Sequence, residues 1–275
     1  MARRSLFWPD PRVKPPFGAA EIDWGHPLAR GLLGYWPFNE TGGNAVDLVL
    51  GLPAIASGGA SRASSGDDLG AVLTTAQYFV AAKPPAFQVA ASSMVARVRS
   101  TSASVQMVAN VNFNGSNVPY AFSPNLSGSY QGYSFYDGAW RNSGVTTDIR
   151  GDNLVHTLGG SYDGTTLRYY VDGVQDASAA YTGTQNLANT NTFDIGRYAN
   201  DGVYFFGNIY HLALYGRALT AAEMHWSAQE PYALLRPIVR RRYFVPTAVA
   251  TTAIFRRTLA GVGTRTGARQ SHGWD

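Results

Sequence analysis

The sequence predicts an all-β protein, a sandwich or a barrel, with one short helix near residues 221–229 and extended segments at both ends. Three observations carry this. Of 275 residues, 30 are glycine and 13% are aromatic, while only 15% are charged. Glutamate stands only at Glu21, Glu40, Glu223 and Glu230, and lysine only at Lys14 and Lys83, fewer than a helical protein uses. Short Thr/Val/Tyr/Phe runs alternate with Gly, Asn and Asp, the pattern of strands joined by tight turns.

The elements follow in order. Residues 1–20 carry Pro9, Pro11, Pro15 and Pro16 and read as an extended arm. The apolar stretch GLLGYWPFNE (31–40) ends at the turn ETGGNAVD, and the Gly/Ser/Ala-rich residues 51–70 read as a surface loop. From 87 onward strands come at regular spacing, among them VQMVANVNF, YQGYSFYDG, VHTLGGSY, TLRYYV and FGNIYHLALY. In SYDGTTLRYYVDGVQ (161–175) the pairs Asp163-Gly164 and Asp172-Gly173 mark both ends of one strand. Asp-Gly accepts the positive φ that tight antiparallel turns require. Alternation puts Leu167, Tyr169 and Val171 on its core face. Thr220-Ala-Ala-Glu223 is a capping box, so a helix starts there and stops before Pro231. The resulting division is an arm at 1–20, a sandwich domain at 21–235 and a basic arm at 236–275.

Charge is unevenly spread. Eight arginines against Asp275 give +7 over 236–275, and residues 1–14 carry +3, so the body holds −6 of the chain's net +4. Basic ends on an acidic body suit docking onto an acidic surface or nucleic acid, and the alternative is that the arginines only solubilise loose ends. The segment with Arg240, Arg241, Arg242, Tyr243 and Phe244 is the candidate assembly arm, because it joins arginines to the apolar run YFVPTAVATTAIF. No cysteine is present, so no disulfide or thiolate site is expected. The N-terminus lacks the apolar length of a secretory signal, and no apolar run is long enough to span a bilayer.

The order of motifs resembles the laminin G-like, concanavalin A-like jelly roll. NLVHTLGGSYDGTTLRYYVDGVQ (153–175) is similar to that family's central hairpin, FDIGRY (193–198) to its strand ending in Ile-Gly, and FFGNIYHLALYGRALTAAEM (205–224) to its closing strand and helix. Gly216 stands where the family more often has Asn. The resemblance covers roughly 30–230 and implies a jelly-roll sandwich. The flanks, GAAEIDWGHPLARGLLGYWPFNETGGNAVDL and EPYALLRP, are similar to the opening and closing of jelly-roll proteins of tailed bacteriophages.

The superfamily includes glycoside hydrolases, but retaining hydrolysis needs two carboxyls roughly 5–5.5 Å apart. The four glutamates are scattered, and no Glu-x-Asp-x-Glu motif exists. Five histidines (His26, His156, His211, His225, His272) form no metal-ligand spacing; His156 and His211 read as strand residues. The resemblance implies calcium as the cofactor to test, and the loop RYANDGVY offers Asn200 and Asp201, with Asp137 or Asp163 as nearby contributors. The same loop also reads as a plain hairpin turn. SYQGYSFYDGAW (129–140) is aromatic: Tyr133 and Phe135 share one face, leaving Tyr136 and Trp140 as the expected exposed, sugar-stacking pair.

The expectation is a non-enzymatic phage virion component, in capsid decoration, tail or fibre, made in the host cytoplasm and displaying a lectin-like jelly roll. Its expected partners are other virion proteins, further copies of itself and a host glycan, without membrane insertion or nucleic acid. A freely acting carbohydrate-binding module is the alternative, and a glycoside hydrolase is disfavoured by the missing acid pair.

Overall fold

A computed structural model describes residues 9–238 apart from 66–67, 113–116, 127, 182–186 and 188–190. Arg240, Arg241, Arg242, Tyr243 and Phe244 lie outside the described residues.

Two antiparallel sheets form the sandwich, with strands numbered along the chain. The front sheet runs β12 (Trp140–Asn142), β11 (Gly132–Tyr136), β10 (Val118–Ser123), β9 (Ala109–Val111), β16 (Phe193–Ile195), β7 (Tyr78–Ala81), β4 (Pro53–Ser57), β3 (Ala45–Val46). The back sheet runs β15 (Val174–Ala180), β14 (Thr166–Val171), β13 (Val155–Tyr162), β8 (Ser92–Ser100), β19 (Gly207–Tyr215), β6 (Asp68–Leu73), β5 (Ser61–Ser65). Strand β2 (Leu32–Trp36) also pairs with β19. A two-stranded ribbon joins β1 (Ala20–Ile22) to β20 (Leu235–Pro237), and a hairpin is formed by β17 (Arg197–Tyr198) and β18 (Val203–Tyr204). The helix α1 covers Ala221–Gln229. The fold is the jelly-roll sandwich expected.

Alternation builds the core. Between the sheets lie Trp36, Phe79, Phe122, Tyr133, Tyr169 and Phe193, with Trp36 stacked on Phe193 at 5.4 Å. Leu167 and Tyr169 of β14 point into this layer, as alternation predicts. Tyr170, on the opposite face, is buried as well, because α1 and Leu219 cover it. The two Asp-Gly turns work locally. Asp163 Oδ1 accepts from the amides of Thr165 and Thr166, both at 2.9 Å. Asp172 has φ +50°, and its Oδ1 accepts from the Thr157 amide at 2.8 Å. A Cβ on Gly173 would lie 2.6 Å from the His225 backbone, so the helix leaves room for glycine alone. Thr220 and Glu223 form the capping box, and Arg217 holds Glu223 down to about 2, chiefly by its hydrogen bond.

Residues 51–70 differ from the surface loop expected: they form β4, β5 and the start of β6. Their small side chains hide strand propensity, but pairing with β7 supplies the ladder for β4. Arg62 of β5 is anchored by a buried ion pair to Glu40 at 3.0 Å and lies 4.7 Å from the Phe79 ring centroid.

Of the N-terminal segment, residues 9–20 lie against this body. Tyr232 donates its amide to Pro11 O at 2.9 Å. Lys14 is buried, and its Nζ donates to the carbonyls of Phe38 (3.4 Å), Tyr210 (2.5 Å) and Leu69. Burial pushes the Lys14 ammonium down to about 7, against the opposing pull of Asp68 and Glu40. Near it His211 is fully buried between Tyr35 (5.6 Å) and Tyr232 (5.5 Å), with neither ring nitrogen partnered among the described residues. Burial, then the charges of Lys14 and Arg97, hold His211 neutral, well below its ordinary pKa. His156 is the opposite case: its imidazole bridges Asp172 at 2.7 Å and Asp152 at 2.9 Å. The Asp172 hydrogen bond, the larger cause, raises its pKa.

Two outcomes are expected. Lys14→Met strands two buried carbonyls and one part-buried one and lowers stability by about 1–3 kcal/mol, read as a lower urea midpoint. An unchanged midpoint would show that Lys14 does not hold this segment. His211 stays neutral in the fold but protonates in the unfolded chain below about pH 6.5, so the unfolded state binds the extra proton. Its contribution is therefore lost as pH falls below that value, by up to about 1.4 kcal/mol per pH unit. His156, with its raised pKa, works in the other direction: its contribution is full below about pH 6.5 and fades as pH rises through the folded value. His211→Phe accordingly flattens the acid side of the stability–pH curve, and an unaltered acid slope would refute this assignment.

Candidate functional site

The outer face of the front sheet carries an aromatic platform. Glycine at 138 (φ +114°) turns the chain from β11 into β12, which sets Tyr136 directly opposite Trp140. Their ring centroids are 5.5 Å apart. Trp140 also meets Tyr130 at 5.2 Å and Tyr198 at 5.9 Å, each edge to face, and Tyr130 meets Tyr198 at 5.4 Å. Met107, Val118 and Ala121 form the floor. Edge-to-face packing of this kind adds about 0.5–1.5 kcal/mol per pair beyond burial.

Tyr136 and Trp140 were expected to be exposed, and both are half-buried. The reason is that Trp140, just past the turn at Asp137-Gly138, opens a strand and is wedged between Tyr130 and Tyr198. Part of the indole reaches the surface, and its N–H has no partner among the described residues. Tyr130 and Tyr198 were not singled out as site residues. Reading RYANDGVY as a hairpin laid over the sheet, with Tyr198 facing down, is the signal that finds Tyr198.

Buried polar groups hold that hairpin in place. Asp194 of β16 is fully buried, accepts from Thr192 Oγ1 at 2.7 Å and pairs with Arg197 Nε. Asn110 of β9 donates to the Arg197 carbonyl, and Asn112 Oδ1 accepts from the Ala199 amide at 3.3 Å. These groups sit on the sheet's outer face, where they would be exposed without the hairpin. The tip then holds the exposed Asn200 and Asp201 beside the platform. Burial first, and the neighbouring Asp201 carboxylate second, push Tyr130 up to about 12. The structure thus brings the expected sugar-stacking pair and the expected metal residues to one place.

That place does not fit calcium, which needs six to eight oxygen ligands. Asn200 turns its amide nitrogen toward Asp201 Oδ1 at 2.9 Å, leaving Asp201 as the tip's one carboxylate. Asp137 is engaged by Arg141 at 3.2 Å and by the Tyr181 hydroxyl, and Asp163 by Arg168 and its own turn. No group of three or more His, Asp or Glu side chains able to hold a metal exists among the described residues. No described helix is long and apolar enough to cross a membrane.

A sandwich of two antiparallel sheets in this strand order is a concanavalin A-like jelly roll. The family model described as Concanavalin A-like lectin/glucanases superfamily, a laminin G type, matches residues 73–225. The chain belongs to that superfamily. No curated protein matches it. Among solved structures it is similar to domain 4 of AbnA, a GH43 extracellular arabinanase from Geobacillus stearothermophilus, in complex with arabinotriose. That match has TM-score 0.55 at 16% identity and covers 77% of this chain and 100% of that one. The binding domain of Paraclostridial Mosquitocidal Protein 1 matches with TM-score 0.57 at 12% identity, over 73% of this chain and 52% of that one. The binding domain of Botulinum neurotoxin DC in complex with SialylT matches with TM-score 0.54 at 9% identity, over 74% and 52%. The chain thus spans about half the length of either toxin domain. At these identities the likeness is one of fold.

If the hairpin tip holds no calcium, millimolar calcium and EDTA give the same melting temperature. A ligand at a hundred times its Kd would add about 2.7 kcal/mol of stability. A clear calcium-dependent rise would overturn this reading of Asn200 and Asp201.

Proposed function

We propose that the domain is a non-enzymatic carbohydrate-binding module whose site is the platform of Tyr130, Tyr136, Trp140 and Tyr198. The observation that carries this is the half-exposed Trp140, held rigid by three tyrosines with its indole N–H unpartnered. A ring fixed in this way loses little freedom on stacking against the apolar face of a sugar, and the N–H is left for a hydroxyl. The non-enzymatic reading is supported by the carboxylates near the platform: Asp194 is buried in an ion pair, Asp137 is committed to Arg141 and Tyr181, and Asp201 stands by itself at the hairpin tip, not as one of a pair. Glycan ligands in two of the similar structures agree with the reading.

Display on a phage particle is the second reading. It is favoured by the flanking segments that resemble phage jelly-roll proteins and by the arginine-rich Arg240, Arg241, Arg242 with Tyr243 and Phe244, which suit attachment to a larger assembly. Pairing of β1 with β20 also brings Ala20 and Pro237 side by side.

Trp140→Ala is expected to weaken binding to an oligosaccharide taken from a glycan-array screen by about ten-fold or more. The variant stays folded, because the core between the sheets does not include Trp140. Isothermal titration with a parallel thermal melt checks it, and unchanged affinity would sink the platform assignment.

A further inference from the structure

The hairpin has two flanks, and the platform uses only one. Tyr198 and Val203 face β10 to β12, whereas Arg197 and Tyr204, paired across the hairpin, lie on the side of β7. There the Arg197 guanidinium sits 3.7 Å from the Tyr78 ring centroid, and Tyr78 lies 6.3 Å from Tyr204. The guanidinium is fixed twice over, by its Nε bond to buried Asp194 and by stacking on Tyr78. Its Nη1 and Nη2 groups have no partner among the described residues, and neither do the hydroxyls of Tyr78 and Tyr204. The side chain is 20% exposed, so those N–H groups reach solvent at the surface.

We propose that Arg197, Tyr78 and Tyr204 form a second sugar subsite, and that it takes a neutral sugar through two adjacent hydroxyls. This rests on the carbohydrate-binding reading above and adds the ligand class. A rigid fork with free parallel donors is suited to a pair of acceptors held side by side. Two ligand chemistries offer that: a carboxylate and a vicinal diol. Charge decides between them. The Arg197 charge is already balanced by Asp194 at contact distance, and Asp201 stands on the same hairpin. A carboxylate would add a second negative charge to a balanced pair, whereas a diol takes both donors with no charge left over. Tyr204, half-buried, supplies a ring beside the fork and a hydroxyl as a further donor or acceptor.

Arg197→Lys keeps the charge for Asp194 but removes the planar fork, and Tyr204→Phe removes one hydroxyl without touching the fold. The test measures binding of wild type, both variants and Trp140→Ala to a panel of arabinotriose, other neutral oligosaccharides, oligogalacturonate and SialylT, at low and high salt. The expected result is binding to a neutral member that does not change with salt and falls about ten-fold or more in Arg197→Lys, with a smaller loss in Tyr204→Phe. Thermal melts within a few degrees of wild type confirm that folding is intact. Where Arg197→Lys melts lower, Tyr204→Phe alone decides. Neutral binding lost in Trp140→Ala but unchanged in Arg197→Lys and Tyr204→Phe overturns the second subsite and leaves the platform standing. Salt-sensitive binding to the acidic members alone overturns the neutral ligand class. Binding to no member overturns both this inference and the carbohydrate-binding reading.

Discussion

One charge organises the front of the molecule. Asp194 lies on a sheet face where no water reaches it, and an unbalanced carboxylate there would cost several kcal/mol. Arg197, three residues on, supplies the balance, and to reach it the chain must fold back over the sheet immediately after β16. The hairpin that results covers Asn110 and Asn112, gives each a backbone partner and drops Tyr198 between Tyr130 and Trp140. The platform is thus a by-product of neutralising Asp194. Its rigidity comes from polar anchoring below and aromatic packing above.

The back of the molecule solves a different problem with apolar cover. Tyr35, Tyr170 and Tyr215 emerge from the sheet's outer face, and Met224 of α1, the β1–β20 ribbon, Leu28 and Ala29 pack with them. Lys14 reaches through this cover to three carbonyls, and the neutral His211 lies nearby without partners. The two faces are therefore unequal. The back is sealed with a deeply buried cation, while the front keeps half-buried rings and donors unpartnered among the described residues at its surface.

Much of this was legible because it is local. The Asp-Gly turns, the capping box at Thr220 and Glu223, and the inward side of β14 each depend on neighbours within a few residues, where turn chemistry and period-two alternation act. What escaped depends on which segments cover an outer face. Alternation marked Tyr170 as solvent-facing, but α1 covers it; it left Trp140 exposed, but Tyr130 and Tyr198 flank it. Residues 51–70 hid three strands behind alanine, serine and glycine, since pairing rather than side-chain propensity decides at a sheet margin. The residues picked for sugar and for metal fall together at the hairpin, yet Asn200 and Asp201 there do not make up a calcium ligand set.

The ribbon of β1 and β20 has a mechanical meaning. Its strands are antiparallel, and Ala20 faces Pro237 at the end of the ribbon next to residues 19 and 238. A pull that separates residues 19 and 238 loads the rungs one after another, as in a zipper, instead of shearing all of them at once. The clasp thus opens rung by rung, and the load passes next through Lys14 to β6 and β19 of the back sheet. A body pulled at these two residues yields first at the ribbon, and the front sheet lies outside the path of the load.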